Sequence, residues 1–184
     1  VTLRIGTRGS RLALAQAAEV RAALEHDGIE AELVPIVTSG DLGADPSTDP
    51  AGVKGLFVTE IVRALLGGEV DVAVHSAKDL PAADEEGLVI AAVPPRASPL
   101  DVLVTRDGEL RAGARVGTSS VRRQAQVFRW RPDVLLKDLR GNVDTRLRKL
   151  ADGEVEALVL AAAGLVRLEV VPEHAQPMSV AEMV

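Results

Sequence analysis

Strand and helix signals alternate along this chain, and glycine or proline closes nearly every helical stretch. That punctuation leaves few architectures open, because each helix must return the chain to a neighbouring strand. Leu3-Arg4-Ile5 reads as a short strand. Gly9-Ser10 then offers a helix N-cap, Ala13, Ala17, Val20 and Leu24 keep one face apolar, and Gly28 stops the helix. Residues 31–38 follow as a strand, and residues 39–53, rich in Gly, Pro and Asp, as a long loop. Residues 56–66 have helical spacing and end at Gly67-Gly68. Residues 70–74 and 88–93 are apolar strand candidates.

Pro94-Pro95 makes a stiff break, and the rhythm resumes beyond it. Residues 101–105 and Arg115-Val116 read as strands, 121–130 as a helix up to Pro132, and 134–139 as a strand. A helix over 143–151 is stopped by Gly153, and 157–160 is a last strand. The pattern is that of an α/β protein with largely parallel sheets, divided into a first lobe over residues 1–94 and a second over 95–184. A short internal echo links them. Arg4-Ile5-Gly6-Thr7 before Ser10 resembles Arg115-Val116-Gly117-Thr118 before Ser119 and Ser120. Each places a Gly-Thr turn between a strand and a helix start, which aims backbone amides and hydroxyls at one point. Ordinary helix capping explains either turn taken alone.

Composition narrows the function classes. With 47% hydrophobic and 26% charged residues, the 184-residue chain is that of a globular protein with a real core. It holds no run of about twenty apolar residues for a membrane-spanning helix, and its first residues lack a signal-peptide pattern, so a cytoplasmic location is expected. Cysteine is absent, which removes disulfides and thiolate chemistry from this chain. The net charge of −6 conceals a split: residues 1–93 carry −8 and residues 94–184 carry +2. Eight arginines fall between Arg115 and Arg148, a concentration suited to carboxylates or phosphates.

Three clusters stand out. His75-Ser76-Ala77-Lys78-Asp79 follows an apolar strand, at the strand end where α/β sheets bind ligands. A carboxylate among cations there stays ionised, able to stabilise positive charge or exchange a proton. A solvated Lys–Asp pair at a helix start accounts for the same spacing equally well. Gly117-Thr118-Ser119-Ser120-Val121-Arg122-Arg123 joins hydroxyls and amides to two guanidiniums. Leu139-Arg140-Gly141-Asn142-Val143-Asp144-Thr145-Arg146 again ends a strand and starts a helix between arginines. A nucleic-acid surface is the competing explanation for the arginines. With only 2% aromatic residues and an acidic first half, stacking and wrapping of a polyanion are poorly served. No phosphate-binding lysine loop, dinucleotide glycine pattern or nucleophile elbow occurs, and the three histidines are too scattered for zinc.

These clusters, with Arg4-Ile5-Gly6-Thr7-Arg8-Gly9-Ser10, Gly55-Leu56-Phe57 and the stretch from Leu160 to Leu168, closely resemble the hydroxymethylbilane synthase (porphobilinogen deaminase) family. The resemblance runs through nearly the whole chain. It implies two lobes like those of periplasmic binding proteins, facing across a cleft, and a third domain that anchors the cofactor. The implied reaction joins four porphobilinogen units head to tail, releases ammonia and yields linear hydroxymethylbilane for porphyrin and heme synthesis. A dipyrromethane cofactor, bound to a cysteine of the third domain, primes the chain.

The resemblance assigns Asp79 as the catalytic carboxylate, stabilising the electron-poor azafulvene-type cation left when ammonia departs. It assigns Ser76, Lys78, Thr118, Ser119, Ser120, Arg122, Arg123, Arg140 and Arg146 to cofactor binding. Arg8, Ser10, Lys54, Phe57 and Arg167 are assigned to the substrate, and no metal is implied. The expected partner is porphobilinogen alone, with no nucleic acid and no membrane, and the expected state a monomer. The chain stops where the second domain of the family ends, so it is expected to be a fragment, inactive by itself and without the cofactor's cysteine. A non-catalytic, two-lobed binder of small anions is the alternative, and Asp79 among the cations argues against it.

Overall fold

The computed structural model of this chain describes residues 2–41, 57–81 and 85–183. Its contacts fall into two compact units, Val1–Pro95 and Arg96–Val184.

In the first unit, β1 (Leu3–Arg8) lies between β2 (Ala31–Ile36) and β3 (Val72–Ala73), and both neighbours run parallel to it. Helix α1 (Arg11–His26) connects β1 to β2. It starts where the Ser10 side chain accepts the Ala13 N–H at 3.3 Å, and it ends at Asp27 before Gly28 takes a left-handed φ of 80°. Helix α2 (Thr59–Leu66) precedes β3. Ile5, Ala17, Ile61 and Val70 form the centre of this unit, all but sealed from solvent. Parallel order carries a consequence for function: the C-terminal ends of β1 and β3 lie at the same sheet edge. Arg8 and the His75–Asp79 segment are therefore delivered to one side.

Two strand expectations change. Residues 70–74 keep only Val72–Ala73 as a strand, although the Asp71 and Val74 amides still bond to the carbonyls of Arg4 and Gly6. Residues 88–93 form no strand. Val89, Ile90 and Val93 are 88%, 70% and 83% exposed, and no sheet edge among the described residues pairs with them. Apolar, β-branched composition favours a strand only where a neighbouring backbone accepts its hydrogen bonds.

The second unit is a five-stranded sheet in the order β6-β5-β7-β4-β8. Strand β5 (Arg115–Gly117) pairs in parallel with β6 (Leu135–Lys137) and β7 (Ala157–Ala161). Strand β4 (Asp101–Thr105) runs antiparallel to β7 and to β8 (Ala175–Pro177), so this sheet is mixed rather than largely parallel. Helices α3 (Val121–Trp130), α4 (Val143–Ala151) and α5 (Ala162–Arg167) complete it. Alternation along β4 and β7 divides the core between the two sheet faces. Val102, Val104, Leu158 and Leu160 pack with Leu139 and Leu150, while Leu103, Ala157 and Val159 pack with Val116 and Val127.

The two units repeat one plan. The order β2-β1-β3 recurs as β6-β5-β7, each central strand paired in parallel on both sides. Arg4 at the start of β1 grips Asp71 just before β3, and Arg115 at the start of β5 grips Glu156 just before β7. The sequence echo between residues 4–7 and 115–118 is the most visible part of a repeated β-α-β-α-β unit.

Candidate functional site

Unit 1 gathers a polar cluster at the C-terminal ends of its strands. Arg8, the last residue of β1, donates from Nη2 to Asp41 Oδ1 at 2.5 Å, and Nε shares the carboxylate at 3.2 and 3.4 Å. Its guanidinium carbon stands 4.0 Å from the centroid of the Phe57 ring. Gly40 makes that placement possible, because a Cβ on residue 40 would overlap the Phe57 ring. Burial pushes the Asp41 carboxyl up, but hydrogen bonds from Arg8 and Thr38 outweigh it, and the net displacement is downward.

The β3 segment carries the remaining groups. Ser76 Oγ donates to Gln16 Oε1 on α1 at 2.7 Å. Ala77–Asp79 forms a single 3-10 turn in which the Asp79 amide bonds to the Ser76 carbonyl. Lys78 is exposed and Asp79 half-buried, and no ion pair joins them. Burial pushes the His75 imidazole below its ordinary pKa; the Asp79 charge opposes that and the Arg8 charge reinforces it. A mostly neutral ring at pH 7 thus sits in the field of the Asp79 carboxylate. Ser10 serves as the α1 cap. Lys54 lies outside the described residues.

Unit 2 presents anion-seeking groups where β5, β6 and β7 meet the helices that follow them. Thr118 is fully buried, and its hydroxyl accepts the Ser120 N–H at 3.2 Å. Ser120 caps α3 by accepting the Arg123 N–H, and Asn142 caps α4 by accepting the Thr145 N–H at 2.9 Å. Arg146 reaches back from α4, donating to the Gly141 carbonyl at 2.8 Å and to Ser119 Oγ at 3.2 Å. No carboxylate forms an ion pair with it among the described residues. Burial pulls its pKa down, repulsion from Arg123 adds to that, and Asp138 opposes both. A half-buried, unpaired guanidinium beside a second one is an environment that a bound anion would stabilise.

The other arginines differ in their engagement. Arg123 is held by Asp101 through Nε at 2.8 Å and Nη2 at 2.6 Å. Arg122 and Arg140 are exposed, and Arg140 leans on Asp138 at 3.3 Å. Arg167 is half-buried at the end of α5. Sequence reasoning missed Gln16, Asp41 and Asp101, the partners of Ser76, Arg8 and Arg123. Gln16 had a detectable signal, a lone amide beside the apolar stripe of α1. Asp41 and Asp101 had none, being one acid at the start of an Asp-rich stretch of sequence and one at a strand start.

The family model described as "Porphobilinogen deaminase, dipyromethane cofactor binding domain" matches residues 3–184. The chain is 52% identical to the porphobilinogen deaminase of Syntrophotalea carbinolica, across 97% of this chain and 58% of that protein. It is 55% identical to the probable porphobilinogen deaminase of Methanocella arvoryzae, across 90% of this chain and 56% of that one. It thus spans less than two thirds of the length of either relative. Among solved structures, an ancestral arginine-binding protein bound to arginine is similar at 18% identity and a TM-score of 0.47, covering 97% of this chain and 78% of that chain. With the family model matched from residue 3 to residue 184, this chain belongs to the porphobilinogen deaminase family.

Proposed function

We propose that this chain carries the catalytic carboxylate and the carboxylate-binding arginines of a transferase that condenses porphobilinogen into hydroxymethylbilane with release of ammonia. One observation carries the reading: a family match over residues 3–184, within which Asp79 is half-buried and takes no part in an ion pair with Lys78. A carboxylate so placed is not taken up by the neighbouring lysine and is available to the reaction. It stabilises the positive charge that develops on the pyrrole as the aminomethyl C–N bond breaks, and it accepts the proton released when the new C–C bond forms. His75, neutral and half-buried, lies in the field of Asp79 and supports it without adding a competing cation.

The arginines answer to the substrate's acetate and propionate groups. Arg8 is the substrate-side anchor on unit 1, with the Ser10 backbone and Phe57 nearby in sequence or space. On unit 2, Arg146 is the strongest anion site, supported by Ser119 and by the exposed Arg122 and Arg140. The family uses a dipyrromethane cofactor. The unpaired, partly desolvated Arg146 fits a group bearing several carboxylates, and Thr118 and Ser120 hold the turn that presents Ser119. When bound, that group supplies the pyrrole acceptor on which condensation begins. Among the described residues no helix is long and apolar enough to cross a membrane, and a cytoplasmic, monomeric enzyme is part of the proposal. Incubating the full-length protein with porphobilinogen tests it. Ammonia release with formation of hydroxymethylbilane supports the reading, and binding without ammonia release overturns it in favour of a binding module.

A further inference from the structure

Two groups converge on Arg8 and fix it before any ligand arrives. Asp41 takes Nε and Nη2, and the Phe57 ring covers the guanidinium carbon at 4.0 Å. Asp41 is itself tied down: Thr38 Oγ1 donates to Asp41 Oδ2 at 2.8 Å, and the Asp41 amide returns a bond to the Thr38 carbonyl at 2.9 Å. Thr38 is fully buried, so the arrangement is rooted in the core of unit 1. Both members of the Arg8–Asp41 pair are 22% exposed at their side chains.

We infer that Asp41 is a positioning and selectivity residue for Arg8, holding the Nε/Nη2 side of the fork so that Nη1 is presented to a substrate carboxylate. This rests on the reading above that Arg8 anchors the substrate. An arginine loses rotamer freedom when it is immobilised, and Asp41 and Phe57 hold Arg8 in place in advance, so less is lost when a ligand binds. The pair also carries no net charge, so a small anion gains little attraction from Arg8. Only a carboxylate brought in by other contacts of the substrate reaches Nη1 with enough affinity to stay. Selectivity thus comes from geometry rather than from bare positive charge.

The test compares wild type with Asp41→Asn and Thr38→Val in the full-length protein, each also in an Arg8→Ala background. Asp41→Asn is expected to raise KM for porphobilinogen about tenfold, the loss of one charge-assisted contact, with a smaller change in kcat. Thr38→Val, which removes the hydroxyl at nearly constant volume, moves KM in the same direction by less. Sulfate binding, followed by calorimetry and needing no turnover, is expected to become about fivefold tighter in Asp41→Asn, as a screened partner charge is removed. Neither change should persist once Arg8 is alanine. Absence of wild-type turnover would sink the reaction assignment, and the sulfate titration would still decide Asp41. Unchanged sulfate affinity in Asp41→Asn, or an equal effect without Arg8, overturns the inference.

Discussion

Arg115 and Glu156 close a two-point fork, with Nε donating to Oε2 at 3.0 Å and Nη2 to Oε1 at 2.5 Å, while the Arg115 amide donates to Oε2 at 2.8 Å. Arg4 and Asp71 repeat the arrangement in the other unit, at 3.0 and 2.8 Å from the side chain and 2.8 Å from the amide. In both cases the start of the central strand is bound to the residue preceding the third. The acid satisfies a backbone amide as well as a guanidinium, which ties together the starts of two parallel, paired strands. These forks are structural, and they take one arginine of each unit out of the pool available to ligands.

The Glu156 fork predicts an acid-sensitive contribution to stability. Hydrogen bonds from Arg115 hold the carboxyl at about 2, below its ordinary value of 4.5. A depressed folded-state pKa contributes stability that is complete above the unfolded value and is lost as pH falls toward the folded one. Glu156→Gln should therefore cost about 0.5–1 kcal/mol at pH 7, a screened, partly exposed pair. The difference from wild type should shrink as pH drops from 4.5 to 2. Urea unfolding at pH 7 and at pH 3 checks this, and an equal difference at both values would refute it.

Asp79→Asn should leave the fold intact and remove most turnover. Asn preserves shape but carries no charge, and loss of one preorganised electrostatic group costs about 10²-fold or more in kcat. Circular dichroism and melting should match wild type while ammonia release collapses. Near-normal release would remove Asp79 from the mechanism.

Arg146 predicts opposite signs for binding and stability. Its guanidinium is partly desolvated and has no carboxylate partner among the described residues, an arrangement that opposes folding until an anion arrives. Arg146→Met should melt no lower than wild type when both lack cofactor. Retention of dipyrromethane, read with an aldehyde reagent for pyrroles, should fall about tenfold with the lost charge-assisted bonds. A lower melting temperature with full retention would show the role to be structural.

Gly117 predicts a packing defect. A Cβ there would stand 2.8 Å from Leu139 Cδ2 and 3.0 Å from Leu158 Cδ2, both buried. Gly117→Ala should destabilise unit 2 by about 1–3 kcal/mol, the usual cost of overpacking. Chemical denaturation measures it directly, and a neutral result would mean that Leu139 yields without strain.

Local structure was legible where local physics decides it. The caps at Ser10 and Ser120, the helix over residues 143–151 and its stop at Gly153 follow from side chains within a few positions of the backbone groups they satisfy. The clusters at strand ends were legible for the same reason, because an apolar run followed by Gly-Thr or His-Ser marks where a buried strand emerges. Residues 88–93 show the limit: the composition is that of a strand, but a strand also requires a partner edge.

The sequence by itself determined the helices over residues 121–130 and 143–151, the cap and stop of the first helix, and the chemical character of the exposed turns. All of these depend on neighbours within a turn or two. Tertiary structure alone decided which charges are spent and which remain available. Arg4 pairs with Asp71 across 67 positions, Arg123 pairs with Asp101, and among the described residues Arg146 is left with neutral partners. Nothing within one helix or strand distinguishes those arginines. Ion pairing follows distance, and distance between remote residues is set by strand order and register.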